Sequence, residues 1–131
     1  MVTLVAFIAG TATKDPSPTL TVRSSAFGPI LFDGRGHALY AFTRDARGGR
    51  STCYGACAKA WPPYVVRGSL SSGSGARRSL LGTVRRPNGA RQVTYAGHLL
   101  YFFSGDLSAG TSNGVGTPGW LAISPAGMPI G

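Results

Sequence analysis

The sequence predicts a mainly β fold: a single domain of two pseudo-equivalent antiparallel repeats, with one short helical turn around a cysteine pair. Three observations lead there. A phrase occurs twice, His37 to Asp45 and His98 to Asp106, and both copies read H-x-L-Y-x-F-x-x-D, which points to internal duplication. Each copy is followed by a tryptophan, Trp61 and Trp120, at the end of its half. Everywhere else, short apolar runs alternate with Gly, Pro, Asn and Asp, the pattern of strands joined by tight turns.

Taken in order, Val2 to Ile8 is an apolar run followed by small residues and then Pro16 and Pro18. It reads either as the apolar part of a secretory signal whose basic leader is missing or as a first strand, and it is too short to span a bilayer. Residues 1–18 are therefore set apart as an N-terminal segment and linker. Residues 19–124 form the two-repeat domain, with repeat one at 19–66, a connector at 67–79 and repeat two at 80–124; 125–131 is a C-terminal tail.

In repeat one, Leu20 to Ser24 and Gly28 to Phe32 are strands, and Asp33-Gly34 predicts a hairpin turn with positive φ into a strand from His37 to Thr43. Alternation puts Tyr40 and Phe42 on one face of that strand and Leu39 and Ala41 on the other. Both faces are apolar, so the strand is central and covered on both sides. Asp45 follows it, placed to accept backbone N–H bonds and fix the next turn.

The stretch from Ser51 to Ala60 is Ala-rich and stopped by Pro62-Pro63, which predicts a short helix with Cys53 ahead of its regular part. Tyr64 to Val66 closes the repeat as a short strand. Arg67 to Ser79 is rich in Gly and Ser and reads as a flexible connector. Repeat two predicts a meander: Leu80 to Arg86, a turn at Asn88-Gly89, Arg91 to Tyr95, a tight turn at Ala96-Gly97, and His98 to Ser104. A glycine-rich loop after Asp106 leads to a closing strand at Trp120 to Ile123.

The chain carries 13 basic residues against 4 acidic ones, for a formal net charge of +9. That balance suits anionic partners. The arginines are dispersed, however, and no nucleic-acid-binding signature accompanies them, so nucleic acid is not the expected partner. An envelope protein or an acidic surface polymer is.

The two Y-x-F-x-x-D copies, Cys53-Tyr-Gly-Ala-Cys57-Ala with Trp61-Pro-Pro63, and Gln92-Val-Thr-Tyr95-Ala-Gly97 together resemble a bacterial secreted-repeat family of unknown function, described as predicted lipoproteins. The likeness covers roughly Leu20 to Ile123. It implies an extracytoplasmic, mainly β, tandem-repeat domain and no established reaction. The chain differs from the lipoprotein form in having no N-terminal cysteine, so anchoring through one is not expected, whereas export is.

Several groups bear on chemistry. Cys53 and Cys57 are expected to form one local disulfide, since a redox-active pair of the thioredoxin kind needs a two-residue gap. His37 and His98 are the candidate metal ligands, and with Cys53 and Cys57 they define the alternative function, a metal-handling or redox accessory protein. Tyr40, Phe42, Asp45, Tyr101, Phe103, Asp106, Trp61 and Trp120 are assigned to the framework of the repeat. No catalytic residue and no cofactor is expected. The function expected is that of an exported, non-enzymatic binding or structural module at the cell envelope.

Overall fold

The computed structural model describes residues 17–131, so the apolar run Val2 to Ile8 lies outside the described residues. The chain is mainly β. β1 (Leu20–Ser25) and β2 (Gly28–Asp33) form a hairpin. β3 (Tyr40–Phe42) follows, then the helix α1 (Ala56–Ala60) and β4 (Val65–Val66). A 3-10 turn at Arg78–Leu80 leads into β5 (Leu81–Arg85), β6 (Arg91–Tyr95) and β7 (His98–Leu99). β8 (Trp120–Ile123) and β9 (Pro129–Ile130) complete the chain. The pairings between these strands are antiparallel, giving sheets ordered β9-β8-β3, β1-β2 and β4-β6-β5, with β7 also on β6, and Leu20 makes an isolated parallel bridge to Ser72.

The turn chemistry explains the hairpins. At Asp33 to His37, Arg86 to Ala90 and Ser124 to Met128 the same three-residue loop recurs. The carbonyl of the residue before the loop accepts from the N–H of the glycine at the loop's third position, and the flanking residues pair as in Asp33 N–H to His37 O at 2.8 Å and Arg86 N–H to Ala90 O at 2.8 Å. One glycine in each takes positive φ, namely Gly36 (95°), Gly89 (85°) and Gly127 (87°). The positive φ expected at Asp33-Gly34 thus falls two residues later. Gly34 serves another purpose: a Cβ there would collide with the Pro18 carbonyl. At Asn88-Gly89 the preceding Pro87 holds φ near −65°, which selects this loop over a two-residue turn. The turn at Ala96-Gly97 is of the two-residue kind, with φ of 51° and 83°.

The strands predicted at His37 to Thr43 and His98 to Ser104 are shorter as ladders, because each changes partner midway. Ala38 bridges Phe32, and Leu39 N–H donates to Leu31 O, before Tyr40–Phe42 leaves that neighbour for β8. The centre of the molecule is where the two copies meet. Tyr40 and Tyr101 exchange both backbone hydrogen bonds, at 2.8 and 2.9 Å. Outside them, each repeat lends its closing segment to the other: Ala122 pairs with Tyr40, and Pro63 with Tyr101.

Alternation sorts the core as the sequence implied. Tyr40, Tyr101, Trp61 and Trp120 lie in one buried cluster with Phe42 and Phe103 against it. Leu39, Ala41 and Leu100 lie in a second, with Phe102 against it. The central strand is covered on both faces. Two stretches differ from expectation. The connector 67–79 is fastened to β1, with Thr19 N–H donating to Ser71 O, Val22 N–H to Ser74 O and Gly73 N–H to Leu20 O. The tail 125–131 supplies β9, which extends the sheet beyond β8.

Candidate functional site

Each copy of the repeated phrase ends in a turn whose aspartate points two ways. Asp45 N–H donates to Phe42 O, and Asp106 N–H to Phe103 O, which closes equivalent turns. One oxygen of each carboxylate then holds its own loop. Asp45 Oδ1 accepts from Thr52 N–H (2.8 Å) and Thr52 Oγ1 (2.7 Å); Asp106 Oδ1 accepts from Asn113 N–H (2.7 Å) and Thr111 Oγ1 (3.1 Å). The other oxygen crosses to the partner repeat. Tyr40 O–H donates to Asp106 Oδ2 and Tyr101 O–H to Asp45 Oδ2, both at 2.6 Å.

The rings are interleaved in the same way. Trp61 and Trp120 stack at 3.9 Å between centroids, Phe42 stacks on Trp120 at 4.3 Å and Phe103 on Trp61 at 4.3 Å. Tyr40 meets Trp61 edge-on at 5.5 Å, and Tyr101 meets Trp120 at 5.2 Å. Each phenylalanine therefore covers the other repeat's tryptophan. Aromatic pairs of this kind contribute about 1 kcal/mol each beyond the area they bury.

Burial, then the neighbouring carboxylate, shifts both phenols. Tyr101 is pushed up to about 12 by burial and by its bond to Asp45, opposed by Ser51 Oγ at 2.6 Å. Tyr40 is pushed up by burial and by Asp106, opposed by the Gly114 N–H. Both phenols are neutral donors at neutral pH.

The eight framework residues named from the sequence thus converge on one centre. The histidines do not join it. His37 sits in a cleft of about 260 Å³ with Phe103 and Asp106 of the other repeat, and His98 in a cleft of about 250 Å³ with Phe42 and Asp45. Burial, then the charge of Arg47, lowers the His98 pKa. Cys53 and Cys57 are joined in a disulfide, Cα to Cα 5.3 Å, with Cys53 ahead of α1. Among the described residues no three His, Cys, Asp or Glu side chains gather as a metal-binding set.

Sequence reasoning missed the groups that complete the aspartate turns. The signal was present, since Thr52 and Asn113 each stand seven residues after their aspartate. It also missed Arg86, which is buried and donates to Gln92 Oε1 (2.8 Å) and Cys53 O (3.1 Å) while lying 4.6 Å over the Tyr54 ring. Arg86 ties the disulfide loop to repeat two.

On the surface, three clefts share lining residues. The cleft beside His37 shares Asp33, Arg35 and Phe102 with a larger one of about 670 Å³, which in turn shares Val65, Val66 and Arg67 with one of about 420 Å³ reaching Arg91. Asp33 lies in this groove but is buried, and its Oδ1 accepts from the N–H groups of Arg35 (3.0 Å) and His37 (2.9 Å).

Fold and centre together define a tandem β-repeat protein whose halves are locked by exchanged strands and side chains. The chain belongs to the family described as a secreted repeat of unknown function, whose profile matches residues 21–64 and 82–123. No curated protein and no solved structure matches it. The two matched segments are the two halves seen here, each carrying one Tyr-x-Phe-x-x-Asp copy. Among the described residues no helix is long and apolar enough to cross a membrane.

Proposed function

We propose that the protein is a non-catalytic binding module of the bacterial cell envelope, and that it takes an acidic surface polymer in the groove past Arg35, Arg67 and Arg91. The observation that carries this reading is that the three clefts share lining residues and each has an arginine in its lining. The formal charge of +9 draws polyanions toward the surface. The two carboxylates that line these clefts are both engaged within the fold, Asp33 Oδ1 by two backbone N–H groups and Asp106 Oδ2 by the Tyr40 hydroxyl.

Alginate, a polyuronate, is a suitable probe, with neutral dextran as control. Titration calorimetry should give binding to alginate that weakens as salt rises, because the contacts are screened over about 8 Å at physiological ionic strength. The triple variant Arg35→Gln, Arg67→Gln, Arg91→Gln should lose about tenfold in affinity. Equal binding of dextran, or an unaltered triple variant, refutes the reading. Retention of an envelope protein by the parent and not by the variant, with no alginate binding, would assign the groove to a protein partner instead.

A further inference from the structure

The exchanged centre holds more than packing requires. A turn needs one oxygen of its aspartate, and in both repeats Oδ1 supplies it. Oδ2 is spent on a phenol of the other repeat at 2.6 Å. Among the described residues, Tyr40 and Tyr101 are the only two of the five tyrosines with a carboxylate acceptor. Tyr64 and Tyr95 donate to the backbone carbonyls of Thr19 and Pro125, and Tyr54 is exposed. The two carboxylate-bonded tyrosines are the ones that touch the stacked tryptophans.

A phenol is hard to oxidise while its proton has nowhere to go, because the radical cation left behind is strongly acidic. An ionised carboxylate already hydrogen-bonded to the O–H removes that obstacle, since the proton moves along an existing bond as the electron leaves. Indole rings lose an electron without giving up a proton first, and two in parallel contact share the resulting charge. Tyr40, Trp61, Trp120 and Tyr101 form an unbroken series of ring contacts at 5.5, 3.9 and 5.2 Å, with a proton acceptor at each end. The tryptophans keep 6% and 5% of their surface exposed while the tyrosines keep none. The indoles are therefore the point of entry and the phenols the sink.

We propose that this centre is a proton-coupled one-electron relay that quenches oxidising radicals. An oxidising radical takes one electron from Trp61 or Trp120 and becomes its anion, leaving the indole radical cation. The indole recovers an electron from Tyr40 or Tyr101, whose phenolic proton passes to Asp106 Oδ2 or Asp45 Oδ2. The result is a neutral tyrosyl radical beside a carboxylic acid. A one-electron reductant restores the phenol, and the carboxylic acid returns its proton. This role uses neither histidine nor cysteine and none of the groove's arginines, although Asp106 also lines the cleft beside His37.

The test is flash photolysis of the full chain with tris(bipyridine)ruthenium(III) as oxidant, in a Tyr54→Phe background that removes the exposed phenol. Transient absorption and electron paramagnetic resonance distinguish tyrosyl from tryptophanyl radicals. The expected result is a neutral tyrosyl radical whose formation slows in deuterated water. In the Tyr40→Phe, Tyr101→Phe double variant, and separately in Asp45→Asn, Asp106→Asn, the tyrosyl signal should be lost and a tryptophanyl signal should stand in its place. Near-ultraviolet circular dichroism selects the variants that keep the stacked rings, and a merely structural role would leave the isotope effect absent. A tyrosyl yield that persists in the double phenylalanine variant, or a parent protein with no isotope effect, overturns the proposal.

Discussion

The Tyr101 hydroxyl touches both the Asp45 carboxylate and Ser51 Oγ at 2.6 Å, in a side chain with no exposed surface. Hydrogen bonds to charged groups contribute about 2 kcal/mol, so Tyr101→Phe should lower the unfolding free energy by about that amount in a urea titration. Tyr101→Ala should cost about 4 kcal/mol, because the cavity under Trp120 adds to the lost bond. Alkali should act through the same group. The folded phenol holds its proton more tightly than an unfolded one, so the stability it supplies is complete below about pH 10 and is lost as the pH rises through about 12. Melting temperature measured from neutral pH upward should fall across that window, and less steeply in Tyr101→Phe. That Tyr101 is buried was readable from strand alternation. That its hydroxyl ends on Asp45, and not on the aspartate of its own repeat, was not, because side-chain reach across a fold leaves no mark on local spacing.

At the level of single elements, turn chemistry decides most of the architecture. Three loops place a glycine where the backbone enters the left-handed region, and each yields a hairpin or a strand return. Ala96 is the exception, a Cβ-bearing residue at φ 51° whose carbonyl is gripped by Arg47 Nε (3.1 Å) and Nη2 (2.8 Å). An L residue there costs about 1 kcal/mol, so Ala96→Gly should raise the melting temperature, read by calorimetry. The helix was foreseen, and α1 is only Ala56–Ala60 because Gly55 at φ 56° starts it and the prolines follow. Composition alone predicts a flexible connector at 67–79, whereas its backbone is hydrogen-bonded along β1. Its glycines let the chain lie close along β1, as at Gly73, where a Cβ would stand 2.9 Å from Pro18 Cγ and 3.1 Å from Leu20 O.

For the whole molecule, the exchange of closing segments means that neither half contains all of its own partners. β8 of the second half pairs with β3 of the first, Pro63 of the first pairs with Tyr101 of the second, and each phenylalanine covers the opposite tryptophan. The two halves should therefore unfold together in a single transition seen alike by circular dichroism and tryptophan fluorescence. Fragments 17–79 and 80–131, each made alone, should lack the near-ultraviolet signal of the stacked tryptophans. A stably folded single half would contradict the exchange.

Duplication, the mainly β class, the two-faced central strand and the local disulfide are determined by the sequence itself, because residue periodicity, turn residues and short-range cysteine spacing act within a few positions of the chain. Which half each strand, ring and carboxylate would serve was decided only by the tertiary structure. Two copies of one phrase offer equally good partners within and across repeats, and closure around the Tyr40–Tyr101 pair selects the crossed arrangement, since only there do the four stacked rings and both phenol–carboxylate bonds form together.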